Sequence, residues 1–285
     1  MKQYLELLKE LVDKADTTDL REDRTKVGTY SVFGRTLEFD LTDNKVPLLT
    51  TKKVKFQDII VELIWMYVLG NPDMTYLKEH NVNIWDSWAV YNDTYPKGTI
   101  GNLYGKVLLD YEGHNQVQAA IDLLKKHPNT RRALFSTWHP LWVAKEELSF
   151  EENVMQGRGS LNSCHGLLTQ LYLNDKRELE MSTYTRSNDI FLGCPYNIVA
   201  YSVLAHLIAR ELNTKAVRLV YNIGDAHLYS NAVEKAKIQL EREPYASPSI
   251  HIDKDVTALR ELVDPKQIKL INYQHHPFLK VPVAV

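Results

Sequence analysis

Two long apolar stretches constrain the fold more than any other feature of the sequence. They are FQDIIVELIWMYVLG at 56–70 and NIVAYSVLAHLIARELN at 197–213, and each is predicted to form a helix. Both are apolar around most of the helix circumference, which is typical of helices buried in a large core or beneath a subunit interface. Gly70 is predicted to end the first helix. Neither stretch has the roughly 20 consecutive apolar residues that a membrane crossing needs.

Other helix and strand patterns are spread along the chain. Strands are predicted at 133–138, 167–173, 178–187, 216–224 and 268–273, with a hairpin at 27–41. Further helices are predicted at 1–15, 114–130 and 228–243. Because the elements mix without a βαβ rhythm, the pattern predicts an α+β fold with a substantial sheet. The chain has no low-complexity linker and no internal repeat, so residues 1–285 are interpreted as a single domain.

Composition narrows the classes of function. The net charge is −2, with 34 basic and 36 acidic residues interspersed, so no basic stripe favours nucleic acid as a partner. The amphipathic N-terminal helix does not resemble a signal peptide. Two cysteines without a secretion signal favour reduced thiols and a cytoplasmic location.

Cys164 is the first candidate for chemistry, in the stretch SLNSCHGLL (160–168). A thiol attacks as the thiolate, which needs a positive neighbourhood or a nearby base. His165 is adjacent, but on a strand it would point to the opposite face. The pair therefore leaves both a nucleophile and a structural thiol open. No second CxxC or HxxxH pair supplies further ligands, so no metal site is predicted.

Arginines near serine and asparagine form a second pattern. They occur in the segments 23–25, 129–132 and 186–189, and the last of these leads into a glycine-containing loop. Guanidinium groups with a serine hydroxyl suit a phosphate monoester. Each segment is also compatible with ordinary solvated charges, so a phosphate-bearing substrate remains a hypothesis at this level.

Polar side chains in GDAHLYSN (224–231) form a third pattern, between a predicted strand and a predicted helix. His227 and Tyr229 could bind a hydroxyl group. The alternative is a capped turn with Asp225 at the start of the helix. Asn197 has a similar ambiguity, since it could cap its helix or recognise a ring that offers one donor and one acceptor.

Taken in order, a set of segments resembles the folate-dependent thymidylate synthase family, whose nucleophile is a cysteine and which also includes pyrimidine hydroxymethylases. The resemblance runs nearly end to end. The segments are DRTKVGTYSVFG (23–34), VPLLTTKKV (46–54), VELIW (61–65), NIWDSWA (83–89), IGNLYGK (100–106), NTRRALFSTWHP (129–140), SCHG (163–166), YTRSNDIFLGCPYNI (184–198), YNIGDAHLYSN (221–231), LERE (240–243), KLINY (269–273) and VPVAV (281–285). The family fold implied is a large mixed sheet packed with helices, paired sheet to sheet in a homodimer.

The resemblance implies the reductive methylation of dUMP to dTMP. Cys164 would add to C6 of the uracil, and 5,10-methylenetetrahydrofolate would be the co-substrate, released as dihydrofolate without any metal. Asn197 would bind the pyrimidine edge. The other implied dUMP ligands are Arg24, Arg186 and Ser187 at the phosphate, Arg131 and Arg132 donated by the second subunit, and His227 and Tyr229 at the ribose 3′-hydroxyl.

The same resemblance assigns proton transfer and folate binding. Glu62 would organise waters for proton transfers, which suits a buried carboxylate with a raised pKa. Tyr104 would help remove the C5 proton. The implied folate contacts are Asp189 at the pterin, Trp85 and the terminal Val-Ala-Val with Ala284 as a cover, and Lys52 near the glutamate tail.

Several positions depart from the family pattern. Pro is usual where Ser163 precedes Cys164, Gln where Thr185 stands, and Gly-Pro where Asn102-Leu103 precede Tyr104. Lys26 and Cys194 also replace the usual Gly and Leu. The loop at 139–163 is longer than expected and rich in charge. Most departures surround the nucleophile and the folate pocket.

These departures keep a sister activity open. A hydroxymethylase would let water attack the one-carbon unit and yield 5-hydroxymethyl-dUMP or 5-hydroxymethyl-dCMP. Asn197 favours uracil over cytosine, and Trp85 with the closing tail favours methylation. A catalytically inactive nucleotide- or RNA-binding module is the alternative from another class, but such a module would be expected to lose Cys164 or an arginine. A soluble α+β protein with a structural cysteine is the simplest alternative.

Overall fold

The centre of the fold is a five-stranded mixed sheet with the strand order β1-β5-β4-β3-β2 in the computed structural model, which describes residues 1–284. Its strands are β1 (Thr29–Asp40), β2 (Leu134–Phe135), β3 (Leu168–Leu173), β4 (Leu179–Asp189) and β5 (Ala216–Tyr229). β4 and β5 run parallel, and the other neighbours are antiparallel. The predicted α+β class with a large mixed sheet is confirmed.

Eight helices and a small second sheet complete the described architecture. The helices are α1 (Lys2–Ala15), α2 (Phe56–Ile64), α3 (Thr75–Glu79), α4 (Gly105–Leu109), α5 (Gln116–Lys126), α6 (Phe150–Met155), α7 (Gly193–Glu211) and α8 (Val233–Leu240). β6 (Ser249–Ile252) and β7 (Ile268–Ile271) form the second sheet. No helix within residues 1–284 combines the length and the apolar character that a bilayer crossing requires.

Helix α7 covers one face of the large sheet and is buried along most of its length. It begins at Gly193, four residues before the predicted start at residue 197. Pro195 is tolerated because the first helical turn has no intrahelical acceptors for its N–H groups, so the missing donor costs no hydrogen bond. The earlier start brings Cys194 and Asn197 onto the same helix.

The predicted hairpin at 27–41 is not formed. Residues 29–40 form one continuous strand, because β5 is long enough to pair with all of it. Gly34 adopts a φ of +73° inside this strand without breaking the register. β5 itself extends through GDAHLY to Tyr229, so the alternative of a capped turn at Asp225 does not hold, and the predicted helix start at 228 is wrong. β5 is held on both sides, by β1 and β4, which outweighs the turn-forming residues in this stretch.

The first apolar helix changes its winding partway along. α2 runs to Ile64, and Trp65–Leu69 continue as a π-helical turn that ends at Gly70, whose φ is +64°. Glu62 lies one turn before this change and is buried. Single π-helical turns inside helices are often found at functional sites.

The long loop at 139–163 is a folded segment that contains α6. Ser149 and Glu152 form a capping box at the start of this helix. The buried Asn153 amide donates to the carbonyl oxygens of Lys145, Leu148 and Ser149, at 3.0, 3.3 and 3.0 Å. The loop is therefore an ordered part of the fold, and its backbone is held by internal hydrogen bonds.

Candidate active site

Cys164 lies just before β3, and two side chains contact it, those of Tyr104 and Arg186. Its backbone N–H donates to the hydroxyl oxygen of Tyr104 at 2.9 Å. The Arg186 Nη2 lies 3.6 Å from the Cys164 Sγ. Arg186, on β4, also donates to the Ser163 carbonyl oxygen at 2.8 Å and to that of Asn162 at 3.1 Å. The guanidinium is thus tied to the backbone that carries the thiol.

The electrostatics at Cys164 combine two opposing effects. Burial raises the pKa of the Cys164 thiol, and the positive charges of Arg186 and Arg24 act against that rise. The thiolate is therefore favoured only by these two arginines. Arg24 itself is exposed, so its guanidinium is accessible to an anion while it acts on the thiol.

His165 does not serve as the base for Cys164. Its Nδ1 lies 2.9 Å from the Tyr201 hydroxyl, and its ring stacks on Tyr104 at 4.6 Å between centroids. Burial lowers the pKa of His165 to about 4, so the ring is neutral at neutral pH. The adjacent Gly166 has a φ of +65°, and a Cβ there would meet the Tyr201 oxygen at 2.1 Å.

Tyr104 links the nucleophile to an aromatic wall. It is buried, and its backbone has a φ of +39°, which is unusual for a residue with a side chain. Its ring lies 5.5 Å from that of Trp85. Trp85 in turn contacts Trp65 and Trp88, at centroid distances of 5.9 and 5.8 Å.

Glu62 joins this wall through the Trp85 indole, whose Nε1 donates to Oε1 of the carboxylate at 2.7 Å. Burial raises the pKa of Glu62 to about 7, more than the Trp85 hydrogen bond lowers it. A carboxyl group with a pKa near the working pH can both accept and donate a proton. The structure therefore connects Glu62, Trp85, Tyr104 and Cys164 in one continuous set of contacts.

The residues predicted to bind phosphate and ribose lie at the ends of β4 and β5. Ser187 pairs in register with Asp225, and Asp189 pairs with His227. The His227 Nδ1 lies 3.1 Å from Asp225. Tyr229 is close enough to Asp189, Arg24 and Cys164 for their charges to affect its pKa, which burial raises to about 12. These residues thus come together around Cys164.

Asp189 organises the loop between β4 and α7. Its carboxylate accepts hydrogen bonds from the backbone N–H groups of Phe191 and Leu192, at 2.9 and 3.1 Å. Burial raises the pKa of Asp189. Lys52 lies against the same loop, where its ammonium donates to the Phe191 carbonyl oxygen and sits 3.5 Å from the centre of the Phe191 ring. Desolvation lowers the pKa of Lys52 to about 7.

Two groups in this region were missed by the sequence reasoning. Asn188 and Tyr221 are buried and joined, since the Tyr221 hydroxyl donates to Asn188 Oδ1 at 2.9 Å and accepts from Thr185 at 2.9 Å. Asn197 is partly buried on α7 beside Tyr221. Period-two alternation does not identify Asn188, because the buried positions of β4 are odd-numbered up to Thr185 and the burial pattern shifts before Asn188.

Arg131 and Arg132 are not brought to Cys164. Both side chains are exposed, just before β2 at the edge of the sheet. Within residues 1–284, neither guanidinium hydrogen-bonds to Cys164, Arg24 or Arg186. Arg132 instead lines a surface cavity of about 340 Å³, together with Tyr111 and His114.

The C-terminal tail returns toward the site end of β5. Ala284 is buried, and the Pro282 carbonyl oxygen accepts from Asn231 at 3.4 Å. Val285, the last residue of the predicted Val-Ala-Val cover, lies outside the described residues. Across residues 1–284, His, Cys, Asp and Glu side chains form no group of three or more that could hold a metal ion.

Comparison with known proteins gives a match that covers all of the site residues described above. A sequence model described as Thymidylate synthase matches residues 2–285. The chain belongs to the thymidylate synthase family. It is 36% identical over 287 residues to the thymidylate synthase of Francisella tularensis subsp. holarctica, with all of both chains covered. The thymidylate synthase of Francisella philomiragia subsp. philomiragia matches at the same identity and coverage. The predicted family is confirmed, and the chain is a methyltransferase enzyme.

Thymidylate synthases act on dUMP and use methylenetetrahydrofolate as co-substrate. The donor set described above fits both molecules. Arg24, Arg186 and Ser187 suit a phosphate monoester. The aromatic wall of Trp85 and Trp88 offers a flat apolar surface to a pterin ring, and the Asp189 carboxylate suits the N–H groups at the edge of such a ring.

Proposed function

We propose that this chain catalyses the reductive methylation of dUMP to dTMP, with 5,10-methylenetetrahydrofolate converted to dihydrofolate. The observation that carries the proposal is the surroundings of Cys164, where Arg186 lies 3.6 Å from Sγ and Tyr104 holds the backbone N–H. A thiol with cationic neighbours beside an aromatic wall suits covalent attack on a flat, electron-poor ring. The whole-chain match to thymidylate synthases supports the same reaction.

In the proposed first step, the Cys164 thiolate adds to C6 of the uracil. A bond forms between Sγ and C6, and the electron pair of the C5–C6 double bond moves toward C5 and the O4 oxygen. Asn197 is proposed to hydrogen-bond the O4/N3 edge. Arg186 favours the attacking thiolate and binds the phosphate. The thiolate leaves again when the C5–C6 double bond is restored in the product.

Proton transfers are assigned to Glu62 and Tyr104. Because its pKa is about 7, Glu62 can exchange protons with water near O4 at neutral pH. Tyr104 keeps its phenolic proton, since burial raises its pKa well above the usual value. Its hydroxyl lies next to the nucleophile, on the proposed path of the C5 proton. The co-substrate supplies the one-carbon unit and the hydride.

The remaining predicted ligands keep their proposed roles, except Lys52, whose buried ammonium donates to the Phe191 carbonyl oxygen and is not free to bind a glutamate tail. Arg24 and Ser187 bind the phosphate, and His227 with Tyr229 binds the ribose 3′-hydroxyl. Asp189 binds the pterin, while Trp85 and Ala284 cover it. Lys52 is proposed to act at the folate side by supporting the Phe191 loop, since its ammonium is buried there. The free thiol fits a reducing compartment such as the cytoplasm.

We propose that residues 1–285 work as a single domain in a homodimer that pairs the two large sheets. The sheet face opposite α7 exposes Leu168, Tyr172 and Tyr184 by 46%, 50% and 39%. These residues stand on one face, since Leu168 pairs with Tyr184 and Tyr172 with Glu180, two alternations along β4. Apolar side chains on an open sheet face favour burial against a second copy. Arg131 and Arg132 would then reach the partner's phosphate site.

The competing reaction is hydroxymethylation of dUMP or, less favoured, dCMP. It differs by the access of water to one carbon atom. Trp85 is only 8% exposed and packs between Trp65, Trp88 and Tyr104, which supports a site that excludes water beside Cys164. Methylation is therefore the favoured reaction. The alternative from another class is a nucleotide- or RNA-binding module without catalysis. An absence of turnover by the wild-type protein would support it.

The nucleophile is tested with Cys164→Ser, using Cys194→Ser as the matched control because Cys194 is a buried thiol on α7. We expect Cys164→Ser to lose at least about a thousandfold in kcat, as expected for removal of a covalent nucleophile, while dUMP binding and the melting temperature remain. Cys194→Ser should keep turnover. Normal turnover by folded Cys164→Ser protein would contradict the assignment.

A further inference from the structure

The segment 141–160, the central part of the folded loop at 139–163, is attached to the active site at two places, and neither is explained by the reaction itself. Internally the segment is tightly bonded. Arg158 Nη1 donates to the carbonyl oxygens of Leu141 and Val143, at 3.2 and 2.8 Å, and Gly159 N–H donates to that of Trp142 at 3.0 Å. With the Asn153 network, these bonds make the segment a unit that resists local opening.

The first attachment is to the strand-like segment before Tyr104. Asn102 Nδ2 donates to the Gly157 carbonyl oxygen at 2.8 Å, and the Asn102 backbone N–H donates to that of Arg158 at 3.1 Å. Gly101 permits this approach, because a Cβ there would meet the Arg158 oxygen at 2.3 Å. The segment 141–160 thus contacts residues 101 and 102 directly.

This contact leads to Tyr104 within two residues. The Leu103 N–H donates to the Gly101 carbonyl oxygen at 2.8 Å, which closes a tight turn. Tyr104 follows this turn and has a positive φ. Such a backbone conformation persists only where neighbouring contacts hold it. The Tyr104 hydroxyl then accepts the hydrogen bond from the Cys164 N–H.

The second attachment is to the segment before Cys164. The Asn162 side chain pairs with the backbone of Ala144, accepting from its N–H at 2.7 Å and donating to its carbonyl oxygen at 3.2 Å. The Asn162 carbonyl oxygen accepts from Arg186 Nη2 at 3.1 Å and lies 3.5 Å from the Cys164 Sγ. Asn162 therefore joins the segment 141–160 to the nucleophile and to Arg186.

We propose that the segment 141–160 acts as a clamp that sets the distance between Tyr104 and Cys164, with Asn102 and Asn162 as its two positioning residues. Asn102 contacts the segment on the Tyr104 side, and Asn162 on the Cys164 side. Removal of either amide should let one side of the site move relative to the other. The turnover readout rests on the proposed function, but the reactivity of the thiol does not.

The test compares Asn102→Ala and Asn162→Ala with the control Asn92→Ala. Asn92 also contacts the segment 141–160, since its Nδ2 donates to the Glu151 carboxylate at 3.0 Å, but on the exposed side of the segment. Three quantities are measured on the full chain: kcat and KM for dUMP, the pH profile of Cys164 alkylation by iodoacetamide, and the melting temperature. Buried Cys194 serves as the unreactive internal reference for alkylation.

We expect kcat to fall about ten- to hundredfold in Asn102→Ala and Asn162→Ala, because small displacements of reacting groups have effects of that size. KM should change by no more than about threefold in Asn102→Ala, because the proposed phosphate ligands Arg24, Arg186 and Ser187 are untouched and one neutral hydrogen bond has only a modest effect. In Asn162→Ala a rise in KM should accompany the loss of kcat, because Arg186 is held by the Asn162 carbonyl oxygen. The alkylation profile of Asn162→Ala should move to higher pH, since Arg186 is less firmly held near Sγ. Asn92→Ala should stay within about twofold of wild type in all rates.

The clamp is overturned if both variants alkylate and turn over like wild type, even with a lowered melting temperature. That result would leave the segment 141–160 with a purely stabilising role. If Asn102→Ala fails to fold, Asn102→Ser replaces it in the test. Serine keeps a polar side chain that is too short to reach the Gly157 carbonyl oxygen, so the same outcomes are expected. If wild type itself does not convert dUMP, the proposed function fails, while the alkylation profiles still decide the clamp.

Discussion

Around Cys164, burial affects the protonation state of individual side chains more strongly than their hydrogen-bond or charge partners do. It raises the pKa of Glu62 to about 7, lowers that of His165 to about 4 and lowers that of Lys52 to about 7. In each case desolvation is the leading cause, and it disfavours the charged form. His165 is thereby removed from acid–base work, while Glu62 becomes available for it.

Glu62→Gln is expected to separate stability from catalysis. In wild type, the folded state keeps the Glu62 proton between its ordinary pKa of 4.5 and the folded value of about 7, whereas the unfolded state releases it. Wild-type stability should therefore fall as pH rises through this window, by up to about 3 kcal/mol from this group. The glutamine cannot titrate and can keep the Trp85 hydrogen bond.

Urea unfolding at pH 5, 6, 7 and 8 measures the difference between the two proteins. The variant should gain relative to wild type up to pH 7 and then level off, while its kcat falls about a hundredfold or more. A stability difference that does not change with pH would mean that Glu62 is not the buried acid described above.

The turn Cys164–Gly166 is the structural element on which the nucleophile depends. We compare Gly166→Ala with Gly113→Ala, since both glycines have a positive φ but only Gly166 lies against another group. Gly113→Ala should lower the free energy of unfolding by about 1 to 2 kcal/mol, because of its backbone conformation alone. Gly166→Ala should cost about 2 kcal/mol more, because its Cβ overlaps the Tyr201 hydroxyl. Equal midpoints in urea would show that the turn has room to relax.

At the level of elements, the sequence predicts what depends on local pattern. The apolar helices, the amphipathic α1 and the strands β3 and β4 are close to their predicted positions. β1 and β5 are not, because their extent is set by pairing with distant strands that no local window contains. The same holds within the site. Cys164 and the arginines follow from motifs, whereas the Asn102 and Asn162 contacts require the folded 139–163 segment.

At the scale of the whole molecule, two observations favour a second subunit. The sheet face opposite α7 is exposed, and Arg131 and Arg132 lie away from Cys164 of their own chain. Mixing inactive Arg131→Ala and Cys164→Ser proteins under subunit exchange should restore activity. Random pairing gives up to about a quarter of the wild-type sites a complete set of residues. Arg177→Ala mixed with Cys164→Ser is the control for exchange of an exposed arginine outside the site. No recovery in verified heterodimers would contradict shared sites.

The central claim is the reaction, and product analysis tests it most directly. The protein is incubated with dUMP and methylenetetrahydrofolate, the nucleotide is identified by mass spectrometry, and dihydrofolate is followed optically, with Cys164→Ser as the blank. The account predicts dTMP and dihydrofolate in equal amounts with wild type, and neither with the variant. A hydroxymethylated nucleotide without dihydrofolate, or no product from dUMP, would contradict it.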